Sequence, residues 1–277
     1  MAPIKILTAA GTWAGPDQGY PADVAREVVR RNPRLFEWQP IVYPASFGPI
    51  PGAPNPLGGN SPSYSESVDV GYRNGSEMIR SSEGPFALIG YSQGAEVIAK
   101  LAWSMMYGDL KEHLGRCWWG LTFGNPCRGK NRSFFHGPQN QPGEGISRHN
   151  LTDLMSIDWL DYAFDEDMYP CARSDSYLSI GYDLAIGLQI HDVWGIAEWI
   201  KNQVVNGQLL PQLPDLPTPS GFLKMANTLS TVARFLQINP HVQYDNWHIV
   251  PGWTPVSHAV NHLSHWGPRK VATAQDL

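Results

Sequence analysis

The segment Gly90-Tyr91-Ser92-Gln93-Gly94 places a hydroxyl between two glycines, each two residues away. Glycines at those positions let a chain turn sharply from a strand into a helix. The central serine is then left strained, with its Oγ presented at the tip of the turn. The apolar run Phe86–Ile89 before it and the helix-like stretch Ala95–Leu101 after it supply that strand and that helix. The plainer reading of Ser92 is a turn serine capping a helix. A serine hydroxyl is a poor nucleophile near neutral pH, so the chemistry also requires a base oriented by an acid. Asp165, Glu166 and Asp167 follow a strand-like stretch around Met155–Phe164, and His241, His248 and His258 come later still. The order serine, acid, histidine is the one in which nucleophile-elbow hydrolases carry their catalytic groups, each on a loop at the carboxyl edge of a sheet. Residue type and order alone leave the choice among these carboxylates and histidines open.

Acyl transfer also needs backbone N–H donors aimed at the developing oxyanion. Gln93, directly after the serine and at a helix start, is one candidate. Thr12, in the loop Ala9–Pro16 after the first strand, is the other, where an ordinary turn residue is an equal reading.

The elements that must position these groups are legible in outline. Ile4–Thr8, Trp38–Tyr43, Phe86–Ile89, Trp118–Phe123 and the stretch around Met155–Phe164 read as strands. Pro21–Val29, Ser67–Ser81 and residues 94–106 read as helices between them. This alternation predicts an α/β fold with a mainly parallel sheet covered by helices on both faces. Residues 44–65 and 128–149 read as long loops. From about 176 to 236 apolar residues recur at helical spacing on both sides of a Pro-rich connector, Leu209–Pro219, and predict a helical insertion within a single domain spanning 1–277. Leu184, Leu188 and the segment Leu209–Leu216 are its candidate acyl-chain surface. The tail from about 266 reads as loose.

Composition excludes several classes. A net charge of −5 without a basic stripe argues against nucleic acid. No apolar run is long enough to span a bilayer, and the first residues read as a strand and not as a signal peptide. Cys117, Cys127 and Cys171 lack zinc-site spacing, and a Cys127–Cys171 disulfide is disfavoured in a reducing cytosol. His258, His262 and His265 share a helical face but lack the Glu of a His-Glu-x-x-His motif, so no metal is expected.

Taken together, Gly90–Ala95, Gly11-Thr12, Gly124-Asn125-Pro126 and the string Asp161-Tyr162-Ala163, Asp165, Asp167-Met168-Tyr169 resemble the mycobacteriophage lysin B family, cutinase-like serine esterases of the α/β-hydrolase fold. The resemblance spans about residues 4–245. It implies that the acid is the aspartate directly before Met-Tyr, Asp167, with Asp165 in reserve. It implies that the base lies in the Pro240-His241-Val242-Gln243-Tyr244 context, hence His241, with His248 in reserve. It further implies a cofactor-free, monomeric enzyme made in the host cytoplasm. Such an enzyme would hydrolyse the ester between mycolic acid and arabinogalactan at the host envelope once the inner membrane has ruptured. A general cutinase or lipase, or a non-catalytic virion component that binds the envelope, are the other readings. The loops 44–65 and 128–149 are longer than the family's shortest members need, and the disulfide that brackets the acid of cutinases is absent or altered.

Overall fold

The computed structural model describes residues 2–48, 61–130, 143–147, 149, 151, 157–185, 206, 213, 215 and 218–275. Five strands, β1 (Ile4–Ala9), β2 (Phe36–Pro40), β3 (Phe86–Tyr91), β4 (Cys117–Phe123) and β5 (Asp158–Tyr162), form one sheet in the order β2-β1-β3-β4-β5. Every neighbouring pair is parallel. Helices cover both faces, and the central strands accordingly read as nearly continuous apolar runs. On one face α1 (Tyr20–Arg31) and α6 (Pro255–Gln275) bury Val24, Val28, Ala259 and Leu263 against Ile6, Ile89 and Leu121. On the other, α2 (Tyr64–Ser81) and α3 (Gln93–Tyr107) bury Val68, Ile79, Val97 and Leu101 against Leu7 and Leu88. This is the α/β layering expected from the alternating pattern, and it agrees with the α/β-hydrolase fold that the resemblance implies.

The strand order matters for function. The chain leaves β1 toward β2 on one side and takes up β3 on the other, so the connections diverge between the carboxyl ends of β1 and β3. In open parallel sheets that switch point is where ligands bind. The loop after β1 carries Thr12, and the turn after β3 carries Ser92.

Three boundaries differ from the sequence expectation. Helix α2 starts at Tyr64 and not Ser67, because Ser63 and Glu66 form a reciprocal capping box. Strand β2 ends at Pro40; after the Ile41 N–H donates to Thr8 O at 2.7 Å the chain leaves the sheet, and the Tyr43 hydroxyl donates to Ala10 O. The tail is not loose: α6 runs through Pro268 to Gln275, and the Lys270 ammonium lies 4.3 Å from the Trp119 ring centroid while donating to Trp118 O at 2.9 Å.

Within 176–236, two helices are described, α4 (Leu178–Ala185) and α5 (Pro219–Ile238). Leu178, Tyr182, Val232 and Phe235 join the same core as α2 and α3, and the Tyr177 N–H donates to Thr228 Oγ1 at 2.8 Å. Leu188, most of Leu209–Leu216 and the side chain of Leu184 lie outside the described residues. Among the described residues no helix is long and apolar enough to cross a membrane.

Candidate active site

Ser92 sits between β3 and α3 with φ 54° and ψ −120°, a left-handed backbone that a non-glycine residue adopts only under constraint. The flanking glycines explain how the turn closes. A Cβ on Gly90 would lie 2.8 Å from Ala95 Cα and strike the Gly94 carbonyl; one on Gly94 would strike the Ala9 and Ala10 carbonyls of β1 and its loop. The Ser92 N–H donates to Phe123 O at 3.0 Å, which ties the elbow to β4. Gln93 is wholly buried. Its side chain accepts from Ser67 Oγ at 3.0 Å and donates to Ser46 O at 2.9 Å, so α2 and the loop after β2 brace the start of α3.

The histidine arrives from α5. Asn239 ends that helix in the left-handed region (φ 48°, ψ 56°), with its N–H donating to Phe235 O at 3.0 Å. The reversal feeds a single 3₁₀ turn, Pro240–Val242, whose central residue is His241. His241 Nε2 lies 2.9 Å from Ser92 Oγ, and its Nδ1 lies 2.7 Å from Asp167 Oδ2. The ring is fenced by aromatic rings: Tyr169 at 4.6 Å, Tyr91 at 5.1 Å and Phe235 at 6.4 Å between centroids. The Tyr91 hydroxyl donates to the His241 carbonyl at 2.9 Å.

Asp167 is fully buried in the loop after β5. Its Oδ1 accepts the Tyr169 N–H at 3.1 Å, the local side-chain-to-backbone turn for which aspartate is suited. Its Oδ2 accepts a second donor besides His241, the Tyr244 hydroxyl at 2.8 Å. A buried carboxylate is tolerable only when its lone pairs are met in this way. Asp165, by contrast, is exposed on the same loop, and His248 is exposed beyond the histidine turn.

Two supports lie outside the triad and oxyanion candidates named from the sequence. Gly124, at the end of β4, has φ +60°; a Cβ there would come within 2.7 Å of His241 Cε1 and 3.3 Å of Asp167 Oδ2. The adjoining Asn125 and Thr122 side chains donate to Asp161, which holds that turn against β5. Arg128, 1% exposed, donates to Pro170 O at 2.6 Å and Gly143 O at 3.0 Å and so pins the acid loop from behind. In the sequence Gly124 carries part of the family resemblance with no role attached, and a lone arginine in a polar stretch carries no signal of burial.

Gly11 backs directly onto the elbow: a Cβ on it would sit 2.6 Å from Tyr91 Cδ1 and 3.5 Å from Ser92 Cβ. Thr12 is the next residue, partly buried, in a loop held by the Trp13 N–H donating to Ala45 O at 2.6 Å. The N–H of Gln93 belongs to the first turn of α3, where backbone donors have no intrahelical acceptor.

The three cysteines are free and buried. Burial pushes the Cys171 thiol up to about 12, so it stays protonated beside Arg128. The helical face of His258 and His262 is occupied structurally: His258 Nδ1 lies 2.8 Å from the Tyr162 hydroxyl, and His262 Nε2 lies 3.6 Å from Asp158. Among the described residues no group of three or more His, Cys, Asp or Glu is placed to hold a metal ion.

Sheet order, elbow and side-chain geometry together define a protein of the α/β-hydrolase fold with a serine, a histidine and an aspartate in hydrogen-bonded series at its switch point. Comparison narrows the kinship. The Endolysin B of Mycobacterium phage L5 and that of Mycobacterium phage D29 match over 187 residues at 31% and 30% identity, covering 61% of this chain. The chain is homologous to these endolysins, and the matched region spans 65% of their length. The crystal structure of lysin B from Mycobacteriophage D29 shares the fold, with a TM-score of 0.58 over 95% of this chain and 99% of that one at 22% identity. No family model matches the chain.

Proposed function

We propose that the chain is a serine esterase of the lysin B type, acting on the ester that joins mycolic acid to arabinogalactan in the mycobacterial envelope. The observation that carries the reading is the continuous series Ser92 Oγ, His241, Asp167, with contacts of 2.9 and 2.7 Å. In this mechanism Ser92 Oγ attacks the acyl carbonyl while His241 Nε2 takes its proton, and Asp167 holds the imidazole and balances the cation that forms. The amides of Gln93 and Thr12 donate to the oxyanion. His241 returns the proton to the departing sugar hydroxyl, leaving an acyl-Ser92. Water, deprotonated by His241, then attacks that ester and releases the fatty acid. No cofactor enters. Helix α5 delivers His241 to the site, and the enzyme works as a monomer at the host envelope. Homology to the endolysins supports the substrate; hydrogen-bond geometry supports the chemistry.

The test is Ser92→Ala, with His241→Ala and Asp165→Asn alongside, on p-nitrophenyl butyrate and on purified mycobacterial envelope. The expected result is loss of turnover on both substrates for the first two variants and retention for the third. Wild-type turnover of the small ester by Ser92→Ala would overturn the mechanism. Butyrate hydrolysis by the unsubstituted protein without mycolic acid release would point instead to a general cutinase or lipase. Envelope binding without any esterase activity would make it a binding module.

A further inference from the structure

We infer that Tyr244 is a positioning residue for the reaction, acting through Asp167. The inference rests on the serine–histidine–aspartate reading above and extends it to a fourth side chain. Asp167 Oδ2 is the oxygen that meets His241, and Tyr244 donates to that same oxygen at 2.8 Å. The Tyr244 hydroxyl is fixed as a donor. Burial, together with the neighbouring Asp167 charge, pushes it well above the ordinary tyrosine range. Its ring is locked as well, stacked on Phe164 at 4.8 Å and edge-on to Phe123 at 5.9 Å. The phenol therefore holds the plane of the carboxylate and draws off part of its negative charge, which is otherwise shared between the Tyr169 N–H and the imidazole.

The other titratable groups around the histidine–aspartate pair differ from Tyr244 in what they touch. Tyr91, from β3, bonds the His241 carbonyl. Tyr169 meets Asp167 through its backbone N–H and the His241 ring through its face. Cys171 is a protonated thiol that feels the Asp165 charge at a distance, and the Asp245 charge acts on Tyr91. Tyr244 is thus the one side-chain hydroxyl, among the described residues, shown donating to the carboxylate.

The experiment is Tyr244→Phe, which keeps the ring stacking, assayed on p-nitrophenyl butyrate across pH. With the carboxylate charge undiluted, the imidazolium is favoured more. The acid limb of kcat/KM then moves up by about half to one pH unit, while kcat falls roughly tenfold with KM unchanged, the scale of one hydrogen bond to a charged group. In an Asp167→Asn background the same change has less than about a twofold effect, because the carboxylate through which it acts is gone. Replacement of Tyr244 by 3-fluorotyrosine, a stronger donor of nearly the same shape, moves the limb the opposite way and serves if Tyr244→Phe does not fold. An unmoved acid limb, or an equal loss in both backgrounds, overturns the inference. Ser92→Ala and His241→Ala run in the same assay separate the two failures. If either retains turnover, the triad reading falls and this inference with it; if both are inactive and the limb does not move, only the role of Tyr244 is refuted.

Discussion

Replacing Gly124 by alanine adds one methyl group beneath the histidine–aspartate pair, and the structure sets the size of the effect. The residue has φ +60°, so an L side chain there costs about 1–2 kcal/mol of backbone strain. The new Cβ would meet His241 Cε1 at 2.7 Å and Nδ1 at 3.0 Å, so the ring must retreat by roughly 0.8 Å to reach ordinary van der Waals separation. Tyr169 and Tyr91 bound the ring, so it cannot retreat and still keep both the Ser92 and the Asp167 hydrogen bonds. A displacement of about 1 Å in a reacting group costs on the order of 100-fold in rate. The expected outcome is therefore a kcat for p-nitrophenyl butyrate lowered about 100-fold, with a melting temperature lowered by only a few degrees, about 2–4 °C per kcal/mol at this size. Gly252→Ala is the matched control, because Gly252 also has positive φ (+83°) but has nothing within 4 Å of the added Cβ. It should lose similar stability and keep its turnover. If Gly124→Ala melts like the control and turns over like the unsubstituted enzyme, the contact does not position His241 and the geometric argument is wrong.

Two further perturbations probe the scaffold. Arg128→Met strips the donors from Pro170 O and Gly143 O behind the acid loop. Each buried carbonyl left unmet costs about 1–3 kcal/mol, so urea unfolding should show a loss of about 3 kcal/mol; a loss under about 1 kcal/mol would mean that the arginine is not what holds the loop. Glu96, buried on α3 with the Tyr64 hydroxyl at 2.8 Å, has its carboxyl pushed up mainly by burial. The native state therefore binds this proton more tightly than the unfolded chain does. Stability from this group is greatest below the ordinary carboxyl value of 4.5 and is lost as pH rises through the higher native value. Glu96→Gln should flatten the urea midpoint against pH between 4.5 and that higher native value and raise it at neutral pH; an unchanged slope there would refute the assignment.

Local signal and tertiary contact divide the molecule unevenly. The elbow was readable because its cause is local: two glycines, a strand and a helix occupy one short stretch, and the steric demand on Gly90 comes from residues only four and five positions on. The same holds for the parallel sheet, whose buried strands must be apolar along their length. Where the sequence reading slipped, the deciding partner was either a small capping pair, Ser63 with Glu66, or a distant contact. The C-terminal turn of α6 looks featureless as sequence because what holds it, Lys270 on Trp118 and Trp119, lies 152 residues away along the chain. The side chains in series with Ser92 follow that second rule. Asp165 and Asp167 are two residues apart and chemically alike; only Asp167 is buried, with a backbone N–H from Tyr169 and a hydroxyl from Tyr244 on its two oxygens. His241 and His248 are likewise indistinguishable by type, yet only His241 follows the left-handed Asn239 that turns the chain off α5 toward β3. Choosing between such neighbours from residue type alone is impossible, because the selecting force is the desolvation of a carboxylate 74 residues upstream. What local sequence can supply is the elbow serine; its aspartate and histidine partners are specified by whichever pair the fold buries together against it.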